Sequence, residues 1–450
     1  MKRLAGITTL FAGLFAWGSM ASAGEANLTR FGPRIYDRVA GAPTSDTAEF
    51  RAIDGPAELV LQDDGIINAR IKINGVDVVG PEDFRDDGEI VIPVQLSRDN
   101  TIEVSVRGKP GGELGLRVTQ FTQTDLRVRA LVYYGINTSS MTNQRIFYDT
   151  LGLTGEIFPA GPESCRSFAQ SLGFEDDYLI YVALTSFNGA PPWVDTVQFR
   201  QDSFRADPPY ADLNHIGMAY ATYATSDLDA DYAYLLGQGV TFVSAPASAP
   251  NGERFAFLKD QDGTFLKLVE EPGAVPAGGG VTNLSRLANV NMNVADLERS
   301  RQFYRLLGFT ESEPGSQSGS GAFAKAHGFD QPIAFAGTDV SLPGYDGNMP
   351  FPVGDPAGTL QLRQWTTPFN PAPPYAPPVN HLGIDRIAFF VDDLNAAADE
   401  MNRLGFEQLG PIGGGAGGVG SIAIVFFYDP DGIKVELWGP LSRPNPDSAC

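Results

Sequence analysis

The chain has 450 residues, 43% of them hydrophobic and 19% charged, a composition ordinary for globular proteins. That length is too great for one core, so roughly two to four domains are expected. The formal net charge is −22, and a surface this acidic repels phosphate backbones and anionic lipid. Composition therefore argues against nucleic acid and membrane surfaces as partners.

Residues 1–23 have the features of a secretory signal peptide. Lys2 and Arg3 precede an apolar run, Leu4–Trp17, and the small residues Ala21–Ala23 provide a cleavage site. This run is too short to span a bilayer and no later run is long enough, so no membrane insertion is expected. Cleavage would remove two cations and no acid, which lowers the net charge from −22 to −24. The mature protein is predicted to be periplasmic or extracellular.

Such a compartment permits disulfides, and the chain has two cysteines, Cys165 and Cys450. Cys450 ends a tail, residues 441–450, that has no regular hydrophobic pattern. Sequence does not supply the geometry that a disulfide needs, so whether the two cysteines pair is left open.

Residues 24–122 have the pattern of an all-β module. Short alternating runs such as Ala69–Ile73 and Thr101–Arg107 are separated by turn residues, and Asn74-Gly75 is a strong hairpin signal. Roughly seven such strands predict a β-sandwich of immunoglobulin-like type. The module carries no chemical motif, so a spacer or adhesion role and plain structural packing both remain open.

From Leu126 onward the chain repeats itself, which indicates a duplicated domain at 126–271 and 284–440, with a Pro/Gly-rich linker at 272–283. The matches, in chain order, are FYDTLGL (Phe147) with FYRLLGF (Phe303), FAQSLGF (Phe168) with FAKAHGF (Phe323), TVQFRQ (Thr196) with TLQLRQ (Thr359), NHIG (Asn214) with NHLG (Asn380), and DQDG (Asp260) with DPDG (Asp429).

The stretch Asn289–Phe309 shows the repeating unit most clearly. Between Asn289 and Asn293 asparagines alternate with apolar residues, the period of a strand with one polar face. Asp296 is placed to cap a helix, and Gly308 to end it. A strand followed by an amphipathic helix is therefore predicted here.

This unit, ending in FYxxLG, resembles the opening of the vicinal-oxygen-chelate (VOC) superfamily, which includes glyoxalase I, extradiol dioxygenases and bleomycin-resistance proteins. Related patterns at Thr225–Gly239 and Val391–Phe406 place two such units in each copy. The resemblance implies an α+β fold with two VOC domains built from four βαβββ modules, preceded by the β-sandwich. Fold alone does not choose among the reactions and metal-free binders that this superfamily contains.

Members of the superfamily bind a divalent metal in a cupped sheet, through His or Gln on first strands and Glu on late strands. The resemblance puts these positions at Asn289, Arg386, Gln361 and Glu436 in the second copy, and at Tyr133, Tyr220, Gln198 and Lys267 in the first. Glu436 is the one strong ligand and Gln361 a weak one. A divalent metal is therefore an alternative for the second domain only, and no cofactor is expected.

Strand alternation predicts which side chains face each cup. An arginine at a ligand position repels a cation, and a guanidinium can satisfy a buried carboxylate through parallel hydrogen bonds. The second cup is therefore interpreted as a polar pocket with an Arg–Glu pair, and the first as an aromatic, cationic cup for a small anionic or aromatic ligand, with a filled core as the alternative. The predicted lining is Asn289, Asn291, Gln361, Arg363, Arg386 and Glu436 in the second cup, and Tyr133, Gln198, Arg200, Tyr220 and Lys267 in the first.

The remaining motifs do not indicate a catalytic or ligand-binding role. His215, His327 and His381 are predicted to be structural, since a neutral histidine is easily satisfied locally. The glycine-rich stretch 410–420 lacks the Lys-Ser/Thr of a phosphate loop, so a mobile lid or a plain flexible loop is predicted.

Three functions follow as hypotheses. The first is metal-independent binding of a small molecule. The second is a metal-dependent glyoxalase-like or dioxygenase-like enzyme that uses Glu436 in the second domain. The third is a structural or adhesion protein whose cups are filled. The sequence indicates neither the ligand nor the oligomeric state.

Overall fold

The computed structural model describes residues 24–38, 44–66, 68–84, 88–107, 110–156, 161–200, 204–277, 281–344, 349, 351 and 356–448. The predicted signal peptide and Cys450 lie outside these residues, so signal cleavage stays a prediction and the pairing of Cys165 with Cys450 stays open. No helix in the described part of the chain is long and apolar enough to cross a membrane. By its contacts the chain falls into two units, one formed mainly by Ala21–Asp125 and one by Leu126–Ala398 with Gln408–Cys450.

The described part of Ala21–Asp125 is almost entirely β, with one short 3-10 helix at Pro81–Asp83. Within its described residues the strands form two antiparallel sheets, ordered β1-β8-β3-β6 and β2-β7-β4-β5. Asn74 and Gly75 both have positive φ and join β4 to β5, as the hairpin signal predicts. Alternate residues of both sheets, such as Leu59, Ile71 and Leu116, share one hydrophobic core. The strands are β1 (Glu25–Asp37), β2 (Thr44–Arg51), β3 (Gly55–Asp64), β4 (Asn68–Ile73), β5 (Val76–Val79), β6 (Gly88–Leu96), β7 (Asp99–Arg107) and β8 (Glu113–Gln123).

The larger unit consists of four successive modules, each opening with a strand and a helix. Module 1 contains β9 (Ala130–Asn137), α1 (Met141–Leu151), β10 (Gly155–Glu156), β11 (Gly161–Glu163), α2 (Arg166–Ser171), β12 (Ile180–Ser186) and β13 (Trp193–Phe199). Module 2 contains β14 (Tyr220–Thr225), α3 (Leu228–Gly237), β15 (Thr241–Phe242), β16 (Ala247–Ser248), β17 (Arg254–Lys259) and β18 (Phe265–Glu270).

Module 3 repeats the order of module 1, and module 4 repeats that of module 2 with one strand fewer after its helix. Module 3 contains β19 (Leu284–Asn293), α4 (Leu297–Leu306), β20 (Thr310–Glu311), β21 (Gly315–Gly319), α5 (Ala322–Ala326), β22 (Ile333–Ser341) and β23 (Thr359–Thr367). Module 4 contains β24 (Gly383–Phe390), α6 (Leu394–Arg403), β25 (Gly413–Gly414), β26 (Ile422–Tyr428) and β27 (Lys434–Pro440).

A side-chain cap starts the first helix of every module. The capping oxygen accepts a hydrogen bond from the backbone N–H three residues later, which satisfies one of the free donors of a helix N-terminus. The same device at the same place explains why the modules share a strand–helix opening. The caps are Ser140, Asp227, Asp296 and Asp393.

The modules pair across the two copies. One sheet follows the order β10-β12-β13-β9-β24-β27-β26-β25, from modules 1 and 4, and the other follows β15-β17-β18-β14-β19-β23-β22-β20, from modules 2 and 3. Each sheet curls into a half-barrel, and we name their concave faces cup 1/4 and cup 2/3. The expectation that 126–271 and 284–440 each form their own cup is therefore wrong. The first strands pair antiparallel with a module from the other copy, β9 with β24 and β14 with β19.

Modules of the same copy contact each other through their Asp-x-Asp-Gly turns. Asp262 of module 2 accepts hydrogen bonds from Thr138 Oγ1 (2.6 Å) and Ser139 N (2.9 Å), at the junction of β9 and α1. Asp431 of module 4 accepts from Ala295 N (3.2 Å) and Ser300 Oγ (2.8 Å) around the start of α4. These turns therefore connect the two sheets.

The first part of the glycine-rich stretch is packed, which argues against the predicted lid there. A Cβ at Gly410 would lie 2.3 Å from the carbonyl oxygen of Gln170, and one at Gly413 would lie 2.8 Å from that of Ser167. Glycine is needed at these positions because β25 lies against α2.

Candidate functional site

Gln198 and Arg200 do not line a cup, contrary to the prediction. Gln198 Oε1 accepts a hydrogen bond from Met141 N (3.0 Å) at the start of α1. Gln364 Oε1 accepts one from Leu297 N (3.1 Å) at the start of α4. The two glutamines are therefore structural equivalents that support helix N-termini. Arg200 follows β13 and is exposed.

Strand register gives the physical reason for this correction. In β13 Asp195 is paired with Gly135, and in β23 Gln361 is paired with Asn291. The match between TVQFRQ and TLQLRQ is therefore three residues out of step, and Asp195 occupies the position equivalent to Gln361. Alignment on the helix-supporting Gln198 would have found Asp195.

In cup 1/4 the ligand positions of the family are held by residues that bond to one another in pairs. Tyr133 Oη donates to Glu436 Oε1 (2.5 Å), and Arg386 Nη2 donates to Asp195 Oδ2 (2.5 Å). Arg386 Nη1 also donates to Asp385 Oδ1 (2.8 Å), while its Nε lies 3.9 Å from Glu436 Oε2. All five side chains are buried. The guanidinium therefore lies among three carboxyl groups.

Burial dominates the electrostatics of this floor. It raises the pKa of Glu436 to about 8, against the opposing effects of Arg386 and the Tyr133 hydrogen bond. It also raises the pKa of Asp385 to about 6, again against Arg386. For Arg386 burial acts to lower the pKa, but Asp385, Asp195 and Glu436 outweigh it and the net shift is upward. At neutral pH Arg386 is charged and Glu436 keeps a proton.

A glycine makes room for Arg386. Gly135 in β9 is paired with Arg386 in β24, and a Cβ at Gly135 would lie 2.5 Å from the Cζ of that arginine. The guanidinium thus passes over β9 to reach Asp195 in β13. Any larger residue at 135 would displace it.

Aromatic rings cover the outer part of cup 1/4. Phe351, from the segment between β22 and β23, lies with its ring centroid 5.2 Å from Trp193, 6.0 Å from Phe390 and 6.1 Å from Trp438. Phe351 belongs to no repeated motif, so the sequence gives no signal for its place in the cup.

Cup 2/3 uses the equivalent positions with different chemistry. Tyr220 Oη donates to Gln361 Oε1 (3.0 Å), and Lys267 Nζ donates to Glu253 Oε1 (2.5 Å). Asn289 Oδ1 is buried and has no hydrogen-bond partner among the described residues. The residues predicted to line the second cup are thus divided between the two cups, because Arg386 and Glu436 belong to the other sheet.

Lys267 and Glu253 form an ion pair at the edge of this cup. Burial lowers the pKa of Lys267, and Glu253 opposes that shift. Burial acts to raise the pKa of Glu253, but Lys267 and Arg363 outweigh it and the pKa is lowered. The carboxylate is therefore charged at neutral pH and neutralises the lysine.

Arg363 lies on the floor of cup 2/3, next to this pair. It is 4% exposed, and its guanidinium carbon lies 4.4 Å from the ring centroid of Phe335 and 5.7 Å from that of Tyr220. Nη1 is buried and makes no hydrogen bond to any described residue. Gly337, paired with Arg363, leaves space for it, since a Cβ there would lie 3.3 Å from the arginine Cγ.

Each of the three histidines donates from Nδ1 to a backbone carbonyl. His327 lies against Phe323 (ring centroids 4.7 Å apart) and donates from Nδ1 to that residue's carbonyl (2.9 Å). Nδ1 of His215 and of His381 donates to the carbonyl of the following residue, at 2.6 and 2.8 Å. Burial lowers the pKa of His327 and of His381 to about 3. Both are neutral at physiological pH.

The residues present do not fit the metal that the superfamily implies. In cup 1/4 the charged guanidinium of Arg386 already binds Asp195 and lies beside Glu436, so a cation there would be repelled. Cup 2/3 offers Lys267 in place of a carboxylate. The described residues contain no group of three or more His, Cys, Asp or Glu side chains placed to hold a metal ion.

A model of the Glyoxalase/Bleomycin resistance protein/Dioxygenase superfamily matches residues 168–268 and 286–437. The chain belongs to this superfamily, which confirms the predicted relationship. Among similar solved structures is glyoxalase I from Zea mays, 18% identical with a TM-score of 0.44, covering 69% of this chain and 92% of that chain.

Two further structures are similar. A putative dioxygenase from Bacillus subtilis is 10% identical with a TM-score of 0.42, covering 70% of this chain and 86% of that chain. A superfamily member from Sphaerobacter thermophilus is 24% identical with a TM-score of 0.21, covering 32% of this chain and 98% of that chain. No curated protein sequence matches the chain.

Proposed function

We propose that the chain is a secreted small-molecule-binding protein that works without the metal typical of its superfamily, with its site in cup 2/3. The observation that carries the proposal is the occupation of a ligand position in each cup by a basic side chain, Arg386 or Lys267, that binds a carboxylate of the protein itself. The N-terminal module, of immunoglobulin-like type in this proposal, serves as a spacer.

Cup 2/3 is the better of the two candidates. In cup 1/4 Tyr133 binds Glu436 and Arg386 binds Asp195, although the second oxygen of each of these two acids has no hydrogen-bond partner among the described residues, and Phe351 packs against Trp193. In cup 2/3 Gln361, Asp339 and Glu253 are each partly exposed, so polar groups of the wall reach solvent. A ligand could enter there without breaking a buried ion pair.

Metal analysis of the purified mature protein tests the proposal. We expect no stoichiometric Zn²⁺, Ni²⁺, Mn²⁺ or Fe after dialysis, and no rise in the melting temperature when these ions are added. About one tightly bound divalent ion per chain would overturn the proposal. In that case Glu436→Ala would show whether cup 1/4 holds the ion, because the variant would then lose it.

A further inference from the structure

We infer that cup 2/3 binds a small organic carboxylate through Arg363, and that a hydroxyl or ammonium group next to the carboxylate is bound by the asparagines of β19. This inference rests on the proposed function and specifies its ligand class.

The first observation is the unpaired cation. Arg363 is only 4% exposed, and its Nη1 donates to no described residue. The two acids that act on it electrostatically have other partners: Glu253 accepts from Lys267 (2.5 Å), and Asp339 accepts from Gln361 (3.4 Å). Leaving a buried charged donor unpaired costs stability, so its retention points to a bound partner.

The second observation is how the guanidinium is held. Phe335 and Tyr220 contact it by cation–π interactions, and Gly337 clears its path across the neighbouring strand. Ring contacts of this kind leave the hydrogen-bonding edge of a guanidinium free. A carboxylate matches that edge, because its two oxygens accept parallel N–H bonds.

The third observation concerns the group that lies next to the carboxylate in the ligand. Asn289 Oδ1 and Asn291 Oδ1 are buried acceptors without a partner among the described residues. Asn291 is paired with Gln361, two residues from Arg363 on the same face of β23. Asn289 is two residues further along the same face of β19. Acceptors on the same concave face as a cation favour a ligand that carries both a carboxylate and a hydrogen-bond donor.

The test uses the mature protein in EDTA, with glycolate, acetate and glycolamide as probes. Binding is followed by thermal shift over a concentration series and by ligand-observed NMR. We expect glycolate to bind most tightly, acetate more weakly because it lacks the donor, and the uncharged glycolamide at least about tenfold more weakly than glycolate.

Three variants locate the site. Arg363→Met should weaken glycolate binding by about tenfold or more, and Arg363→Lys by less because it keeps the charge. Arg200→Met is the matched control: its guanidinium also lies over a ring, 5.3 Å from Tyr181, but outside the cup, so binding should not change. Without ligand, Arg363→Met should melt about 2 °C or more above the wild type, because an unpaired buried charge is gone.

The outcomes separate this inference from the proposed function. Equal glycolate binding by the wild type and Arg363→Met, or equal affinity for glycolamide and glycolate, would overturn the inference. Binding of uncharged compounds only would also overturn it and leave metal-independent binding standing. A stoichiometric metal would instead overturn the proposed function.

Discussion

Cup 1/4 and cup 2/3 are built from the same repeated module, and a bridge crosses the floor of each at equivalent positions. In cup 1/4 the bridge is the ion pair of Arg386 with Asp195, and in cup 2/3 it is the hydrogen bond of Tyr220 with Gln361. Asp385 and Glu436 lie close to the cation of the charged bridge, whereas in cup 2/3 Nη1 of Arg363 has no hydrogen-bond partner among the described residues.

This difference shows how equivalent positions of a repeated module can carry different polar chemistry. Positions that hold a metal in related proteins can serve as internal bridges, since a guanidinium supplies the positive charge that buried carboxylates need. Aromatic residues pack in both cups: Phe351 lies against Trp193 in cup 1/4, and Phe257, Phe335 and Trp365 belong to a buried cluster in cup 2/3. The same backbone therefore supports two different polar floors in one chain.

Replacing Arg386 with Met is expected to have the largest effect. It removes the guanidinium that binds the buried Asp195 and Asp385, which should lower the free energy of unfolding by about 3–5 kcal/mol. Urea unfolding followed by tryptophan fluorescence would measure this. Trp193, Trp365 and Trp438 all lie in the larger unit, so the fluorescence reports on its unfolding.

Arg200 is exposed, so Arg200→Met is the control for this measurement. It should change the free energy of unfolding by less than about 0.5 kcal/mol. The loss in Arg386→Met should shrink at pH 5, because the orphaned acids take up protons. A loss of under about 1 kcal/mol at pH 7 would contradict the bridging role. Arg386→Met should destabilise the protein, whereas Arg363→Met should stabilise it. The two variants therefore compare the two cups directly.

Local features of the larger unit could be predicted from sequence, because short-range physics determines them. The alternation before Asn293 gives β19, Asp296 caps α4, and Gly308 follows it with φ of 103°. The pairing of the modules could not be predicted from sequence, because it depends on the pairing of β9 with β24 and of β14 with β19. Repeated modules present similar edges, so nothing in the sequence distinguishes a partner in the same copy from one in the other.

The candidate site was predicted in part. Tyr133, Tyr220, Lys267, Arg386 and Glu436 lie on concave faces, but the strand pairing divides them differently between the cups. Asp195 was missed because the similar letters of TVQFRQ and TLQLRQ concealed a shift of three residues. An odd shift along a strand reverses the face on which a side chain lies.

The protonation of Glu436 gives a second prediction. Burial raises its pKa to about 8 in the fold, so between its unfolded pKa and pH 8 the folded state binds more protons than the unfolded state. Stability should therefore be greatest at the acidic end of this range and fall as the pH rises, by at most about 1.4 kcal/mol per pH unit from this group. Unfolding free energies measured at several pH values would show the slope.

Glu436→Gln isolates this contribution, since the amide keeps the shape and cannot lose a proton. The difference in stability between wild type and variant should shift in favour of the variant as the pH rises towards 8. Parallel pH profiles for the two proteins would mean that Glu436 is ionised in the fold, and that cup 1/4 holds three charged acids around Arg386.

The smallest expected effect concerns Gln364 and Gln198. Each accepts a hydrogen bond from the first residue of a helix, Leu297 N (3.1 Å) or Met141 N (3.0 Å), so Gln→Ala should cost about 0.5–1.5 kcal/mol at either position. Urea unfolding of the two single variants would measure these losses. Similar losses would support the equivalence of the two glutamines, and thereby the placement of Asp195 opposite Arg386. If Gln198→Ala instead changed the pKa of a cup residue or the binding of a probe and left stability unaltered, the side chain would belong to a cup after all.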